Sequence, residues 1–222
     1  MPNETRSRGN PHTSSRLCGS CVVAGTLLAL VMFVALHLLR PDYNPLRNFL
    51  SEYFVGPYGF LGAAATCMLA ATFLMLLVGL RLRVHPSGFL TASCVLLGVV
   101  IFSLCLCAVF PTDLFPPDGS RPAFTRSGIV HLVSSAQLYL SLIALLLTLA
   151  GAYKRDEQWR SFSQTTLFLV FLILVSFLVL VLVPRNFRGL AQRGNGLVVL
   201  AWLLLTGLRL RHATPSQHGT PS

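Results

Sequence analysis

Uncharged apolar runs recur along the whole chain, and they constrain its fold more than any other feature. Each run has about 22 residues, enough to cross a hydrocarbon core of roughly 30 Å as a helix. Charged residues make up 11% of the 222-residue chain, against about a quarter in soluble domains. These features exclude a soluble enzyme, a disordered chain and a disulfide-stapled secreted module, and they predict a polytopic helical membrane protein.

Six such runs predict an all-α fold, a bundle of six transmembrane helices with a short interfacial helix after the first. The predicted spans are Leu17–Leu39, Gly59–Leu80, Gly88–Phe110, Ser127–Ala152, Phe162–Val183 and a last span from Gly189 or Gln192 to Leu208. We expect a disordered tail over residues 1–16, one membrane domain over 17–210 and a second disordered tail over 211–222.

The Lys and Arg residues are divided unevenly between the two ends of the predicted bundle. Ten lie on the side that carries both tails and seven on the other, so the positive-inside rule predicts a multi-pass cell-membrane protein with both termini in the cytoplasm. The net charge of +10 suits anionic lipid surfaces. Because the basic residues form no single stripe, we expect the lipid bilayer as a partner and no nucleic acid. The sequence carries no signal for the oligomeric state.

The loop after the first span has the pattern of an amphipathic helix. Asn44 followed by Pro45 is typical of a helix start. The residues that follow on its apolar face are Leu46, Phe49, Leu50, Tyr53 and Phe54, and those on its polar face are Arg47, Asn48, Ser51 and Glu52. A helix of about two turns with this pattern would lie at the membrane surface, where it either covers the bundle or roofs a pocket.

Further ionisable residues flank the third loop and the sixth span. Asp113 follows the third apolar run by three residues, and His131 lies about one turn inside the fourth span, where ionisable side chains are uncommon. The uncharged part of the last span, Asn195–Leu208, has only 14 residues. A helix that crosses the membrane there must also include Arg193.

All of these residues belong to the outer end of the predicted bundle, because they flank odd-numbered loops. If they also converge sideways, they form an outward-facing pocket that binds or transports a small anionic or lipid-derived ligand. Arg47 and Arg193 would bind the anion, while Asp113 and His131 would supply proton transfer or hydrogen bonds. The ligand-binding residues predicted in this way are Arg47, Asn48, Glu52, Asp113, His131 and Arg193.

Four short motifs stand at the outer ends of the spans. They are Pro45-Leu46-Arg47 with Ser51-Glu52, Phe110-Pro111-Thr112-Asp113, Gly128-Ile129-Val130-His131 and Gly189-Leu190-Ala191-Gln192-Arg193. In this order they resemble the motifs of a family of six-helix membrane proteins, domain-of-unknown-function family 998. The resemblance extends from the first span to the sixth, with the long 116–126 stretch as a departure. It implies the topology and a polar site, but no reaction.

Two alternatives stand beside ligand binding. A membrane-embedded lipid hydrolase or transferase would use Asp113 and His131 as catalytic residues, with Ser51 or Glu52 as further candidates. A scaffold or assembly protein would need no ligand and none of these groups.

No metal or other cofactor is expected. Cys18 and Cys21 have zinc-like spacing, but no second pair of ligands accompanies them. A b-type haem would need paired histidines on facing helices, and the only candidates near spans are His37 and His131. A metal held by Glu52, Asp113 and His131 is conceivable only as a hydrolytic centre.

Overall fold

The structure, a computed structural model, describes residues 11–116 and 123–212, which form six α-helices. These are α1 (Pro11–Leu39), α2 (Gly59–Arg83), α3 (Gly88–Val109), α4 (Arg126–Lys154), α5 (Arg160–Leu182) and α6 (Arg188–His212). Two short 3-10 helices, Leu50–Phe54 and Arg185–Phe187, precede α2 and α6. The described part of the chain contains no β-strand, so the prediction of an all-α bundle of six helices is confirmed.

The six helices close into a ring. Each helix packs against the next along the chain, α6 packs against α1, and α2 also touches α6 across the ring. Phe73 of α2 and Trp202 of α6 are fully buried, and their ring centroids lie 6.2 Å apart. Since lipid tails are as apolar as this core, close packing and not the exclusion of water stabilises the ring within a membrane.

Five of the helices, α1 to α5, are long and apolar enough to cross a membrane. Their outward faces expose large apolar side chains such as Phe102, Leu140 and Leu178, as expected of surfaces that contact lipid. The chain is therefore an integral membrane protein. Which end of the bundle faces the cytoplasm stays a prediction from the charge count.

The sixth helix, α6, is less apolar than the other five and has arginines near both of its ends. It nevertheless packs beside α1 over most of the length of α1. Gly19 of α1 meets Gly207 of α6, and His37 of α1 meets Arg193 of α6. From Gly19 to His37, α1 rises by about 27 Å, close to the thickness of the hydrocarbon core. We therefore treat α6 as the sixth membrane-spanning helix, antiparallel to α1.

Two helices extend beyond the predicted apolar runs. α1 begins at Pro11 instead of Leu17, and α6 reaches His212, so the predicted tails are helical where they adjoin the bundle. Apolar content marks where the chain meets lipid, whereas helical hydrogen bonding continues through polar residues, and proline suits a first turn. The rest of both tails, 1–10 and 213–222, and residues 117–122 of the long third loop lie outside the described residues.

The interfacial helix predicted after α1 is shorter than expected and is divided. Asn44 does cap a turn, since its Oδ1 accepts a hydrogen bond from the Leu46 amide at 2.9 Å. Phe49 is extended (φ −62°, ψ 149°), which separates this turn from the 3-10 helix Leu50–Phe54. As a result Glu52, predicted on a polar outer face, is buried.

Candidate functional site

The loop between α1 and α2 is docked on the start of α6. The Leu190 amide donates to the carbonyl oxygen of Leu46 at 3.0 Å. The Leu50 amide donates to Oε1 of Gln192 at 2.6 Å. These bonds join segments that are far apart in sequence and fix the loop over one end of the ring.

Gly189 makes this docking possible. A Cβ atom at position 189 would overlap the carbonyl oxygen of Asn48 and lie 2.7 Å from that of Pro45. Both contacts are with backbone, which cannot move aside without shifting the loop. The glycine of the fourth motif is therefore required for contact between the loop and α6.

Arg193 lies beneath the docked loop. Its Nε donates to Nε2 of His37 at 2.8 Å, and its Nη1 donates to the carbonyl oxygens of Asn48 at 2.8 Å and Gly189 at 2.9 Å. The guanidinium carbon also lies 5.3 Å from the centroid of the Tyr53 ring. Among the described residues no carboxylate forms an ion pair with Arg193, so its direct partners are neutral groups, and Glu52 attracts it only from a longer distance.

The hydrogen bonds of His37 fix its tautomer. Nδ1 lies 2.6 Å from the carbonyl oxygen of Phe33, which can only accept, so Nδ1 carries the proton. Nε2 is then the acceptor for Arg193, and the imidazole is neutral. The remaining terminal nitrogen of Arg193, Nη2, is buried and has no hydrogen-bond partner. An unsatisfied buried donor of this kind costs about 1–3 kcal/mol, and more when it is charged.

A cavity of about 340 Å³ lies among the helices of the ring and is partly open at the surface, and Arg193 forms part of its wall. We call it the bundle cavity. Most of its lining is apolar and comes from α1, α2, α3, α4 and α6, including Leu30, Phe73, Leu104, Leu142 and Leu200. Its polar lining residues are His37, Tyr139, Gln192, Arg193 and Asn195. The bundle cavity thus combines a largely apolar interior with one charged side chain.

A second space, which we call the outer recess, lies over the loop that covers Arg193. It has a volume of about 560 Å³ and adjoins a smaller space of about 50 Å³. The charged residues that line the two spaces are Asp42, Arg47, Glu52, Arg185 and Arg188. Glu52 accepts hydrogen bonds from Nδ2 of Asn48 at 2.6 Å and from the Phe115 amide at 3.4 Å. The structure therefore brings the predicted residues Arg47, Asn48 and Glu52 together here.

Asp113 is bound at the start of α4. Its Oδ2 accepts from the Thr125 amide at 2.9 Å, and its Oδ1 accepts from the Thr125 hydroxyl at 2.8 Å. Thr125 is the N-cap of α4, and its Oγ1 accepts from the Gly128 amide at 3.0 Å. A carboxylate at this position is also favoured by the helix dipole. These contacts give Asp113 a structural role in holding the third loop on α4.

His131 is buried near the junction of α3 and α4. Its Nδ1 donates to the carbonyl oxygen of Phe110 at 2.8 Å, and it forms no hydrogen bond with Asp113. Neither residue lines the bundle cavity or the outer recess. Ser51, the candidate nucleophile, is half-buried on the 3-10 helix, and no hydrogen bond joins it to either residue within the described chain.

The predicted site is therefore divided between two regions. Arg47, Asn48 and Glu52 line the outer recess, and Arg193 contacts the back of the same loop through the Asn48 carbonyl. Asp113 and His131 lie where α3 meets α4, helices that stand across the ring from α1 and α6. The described residues also contain no cluster of three or more His, Cys, Asp or Glu side chains that could hold a metal ion.

Three residues at this site were not among the predicted ligand-binding set. His37, Tyr53 and Gln192 all contact Arg193 or the loop above it. Burial raises the pKa of the Tyr53 phenol, so it stays neutral beside the guanidinium. The sequence did contain a signal that His37 belongs to this site, since it is an ionisable residue in the last turn of the first apolar run.

Arg40 joins the two ends of the same loop through its hydrogen bonds. Its Nη1 donates to the carbonyl oxygen of Val55 at 2.7 Å, and its Nη2 lies 2.8 Å from Oδ2 of Asp42. The hydrogen bond from Arg40 holds the pKa of the Asp42 carboxyl below its ordinary value. The loop is thus anchored at α1 by Arg40 and at α6 by the contacts of Gly189 and Arg193.

Comparison with known proteins places the chain in a family. The sequence model of a family described as "Protein of unknown function (DUF998)" matches residues 23–209. This range includes the four motifs and the whole bundle cavity. No curated protein and no solved structure matches the chain. The chain therefore belongs to this family of unknown function, as the four motifs predicted.

Proposed function

We propose that this protein binds an anionic amphiphile, with the head group on Arg193 and the hydrocarbon chain in the bundle cavity. The observation that carries the proposal is that Arg193 is a charged side chain in the wall of a largely apolar cavity and that its terminal Nη2 has no hydrogen-bond partner. In this proposal the guanidinium turns toward the cavity, so that Nη2, which is covered in the structure, meets the ligand. A carboxylate or a phosphate suits this donor best. Charge-assisted hydrogen bonds from arginine to such groups are short, often bidentate and stronger than bonds between neutral groups.

The electrostatics of Arg193 favour an anion over a neutral ligand. Arg193 is half-buried, its hydrogen-bond partners within the described chain are neutral, and Glu52 attracts it without forming an ion pair. A cation in such surroundings is stabilised by a direct counter-charge. An anionic head group would supply the missing charge as well as an acceptor for Nη2. Binding would thereby offset the cost of the unpartnered donor.

The size and lining of the bundle cavity favour a hydrocarbon chain. Its volume of about 340 Å³ lies within the range of roughly 300–1,000 Å³ that is usual for small-molecule pockets. A fully polar ligand would lose its hydration against apolar walls without replacement. Because the bilayer interior is as apolar as the cavity, the hydrocarbon chain of the ligand contributes little to selectivity. The head group therefore decides which amphiphile binds.

The outer recess supports the same class of ligand. Arg47, Arg185 and Arg188 outnumber Asp42 and Glu52 among the charged residues that line the outer recess and the smaller space beside it taken together. A concave surface with an excess of positive charge raises the local concentration of anions. In this proposal the recess attracts the head group to the end of the bundle at which Arg193 lies.

The experiment is an equilibrium binding measurement with protein in phosphatidylcholine nanodiscs. The probe is radiolabelled dodecanoate, and dodecan-1-ol is its neutral analogue. We expect the wild type to prefer dodecanoate by about tenfold to a hundredfold, since a hydrogen bond to a charged group contributes about 1.5–3 kcal/mol. Arg193→Gln should bind the acid and the alcohol equally.

The matched control is Arg126→Gln, which removes one exposed arginine at the same end of the bundle and outside both cavities. This variant should keep the preference for dodecanoate. Equal affinity of the wild type for the acid and the alcohol would contradict the proposal, as would an equal loss of preference in the two variants.

A further inference from the structure

A third pocket lies at the opposite end of the bundle, where α1 begins and α6 ends. It has a volume of about 370 Å³ and is lined by Arg16 and Ser20 of α1 and by Arg211 and His212 of α6. We infer that this terminal pocket binds the phosphate of an anionic phospholipid in the adjacent leaflet. The inference does not depend on the proposal for Arg193, because none of these residues lines the bundle cavity.

The close crossing of α1 and α6 holds the terminal pocket together. A Cβ atom at Gly19 would lie 2.7 Å from the carbonyl oxygen of Gly207 and 2.8 Å from the Arg211 amide nitrogen. The two backbones are therefore in direct contact, as at small-residue crossings of membrane helices. Arg16 lies about one turn before Gly19, and Arg211 lies about one turn after Gly207. The crossing thus brings two arginines from opposite ends of the sequence to one pocket.

Among the described residues the terminal pocket has positive charge without a counter-charge in its lining. None of its described lining residues is acidic. The described acidic residues at this end of the bundle are Asp156 and Glu157, both in the α4–α5 connection. Asp156 accepts hydrogen bonds from the His85 amide at 2.8 Å and the Gln158 amide at 2.9 Å, so its carboxylate is engaged in holding those loops. An external anion is the group that complements the pocket.

The position of the pocket favours a lipid phosphate over a soluble one. Arg16 immediately precedes the first apolar run, so the pocket lies at the depth of the head groups. The next residue, Leu17, is 64% exposed and offers an apolar surface to an acyl chain. A basic pocket between membrane helices with an adjoining apolar surface is typical of sites for phospholipid head groups.

The test uses full-length protein released from nanodiscs that contain equal amounts of phosphatidylglycerol and phosphatidylcholine. Native mass spectrometry then counts the lipids that remain bound. We expect the wild type to retain phosphatidylglycerol over phosphatidylcholine by about tenfold. Arg16→Gln combined with Arg211→Gln should bring this ratio near one. Ser20→Asp, which places a carboxylate in the pocket and keeps both arginines, should lower the ratio as well.

The matched control combines Lys154→Gln with Arg160→Gln. These residues are exposed at the same end of the bundle and outside the terminal pocket, and the control removes the same amount of charge. It should keep the preference for phosphatidylglycerol. An equal loss in both double variants would overturn the inference in favour of diffuse surface charge. Full displacement of the lipid by soluble glycerol 3-phosphate would overturn the assignment to a lipid.

Discussion

Nε of Arg193 donates a hydrogen bond to Nε2 of His37 at 2.8 Å, although the two residues are 156 positions apart in the sequence. The bond joins the last turn of α1 to the first turns of α6 and so helps to close the ring. This hydrogen bond engages Nε of the guanidinium in holding the two helices together, whereas Nη2 has no hydrogen-bond partner. The same arginine can therefore hold the bundle together and offer a donor to a ligand.

Replacing His37 tests the structural half of this arrangement. His37→Ala leaves Nε of Arg193 without its acceptor, and we expect the free energy of unfolding to fall by about 1–3 kcal/mol. His37→Gln keeps a side-chain acceptor and should lose less. Unfolding in mixed micelles with increasing SDS measures both. A His37→Ala variant as stable as the wild type would show that this hydrogen bond contributes nothing.

Two glycines of α6 make a matched pair for testing the docking of the first loop. Gly189→Ala forces a Cβ atom against the Asn48 carbonyl and should destabilise the protein by about 1–3 kcal/mol. Gly194→Ala adds the same atom where nothing lies within 4 Å, and alanine favours the helix by about 0.5–1 kcal/mol. The two variants should therefore shift the SDS midpoint in opposite directions. Equal shifts would mean that the loop does not pack on Gly189.

The fold follows from the sequence more completely than the site does. The apolar runs give the number of helices and their depth in the membrane, because both depend on length and hydropathy alone. Spacing along the chain also places Arg193 and Asp113 at the same end of the bundle. It does not give their positions around the ring, since those depend on which helices pack side by side.

Glu52 shows a second limit of the sequence pattern. Helical periodicity places it on a polar outer face together with Arg47. The extended backbone at Phe49 interrupts that periodicity, and Glu52 becomes buried with Asn48 and Phe115 as hydrogen-bond donors. An apolar residue at the end of a turn carries no sequence signal for such an interruption, because its conformation is decided by packing.

Asp113 offers a test between a structural and a ligand-binding role. Asp113→Ala removes both hydrogen bonds to Thr125 and should lower the free energy of unfolding by about 1–2 kcal/mol. Asp113→Asn retains a carbonyl acceptor and should lose less. Both variants should bind dodecanoate as the wild type does, because Asp113 does not line the bundle cavity. Loss of binding with unchanged stability would instead place Asp113 in the ligand site.

The ion pair of Arg40 and Asp42 predicts a dependence of stability on pH. Because the pKa of Asp42 is lowered in the folded protein, its contribution is fully present above the ordinary aspartate pKa of about 3.9. The contribution is lost as the pH falls through the lowered value. Unfolding of the wild type and of Asp42→Asn should therefore differ at neutral pH and converge in acid. A difference that persists in strong acid would contradict the role of the ion pair.

In the proposed binding mode the hydrocarbon chain of an anionic ligand occupies the bundle cavity while Arg193 holds its head group. Photolabelling with a dodecanoate that carries a diazirine at the end of its chain tests this directly, with the labelled residues mapped by mass spectrometry. We predict labels on cavity residues such as Leu30, Leu104 and Leu142 in the wild type, and much weaker labelling of these residues in Arg193→Gln. Labels confined to lipid-facing residues such as Phe102 and Leu140, with the same pattern in both proteins, would contradict it.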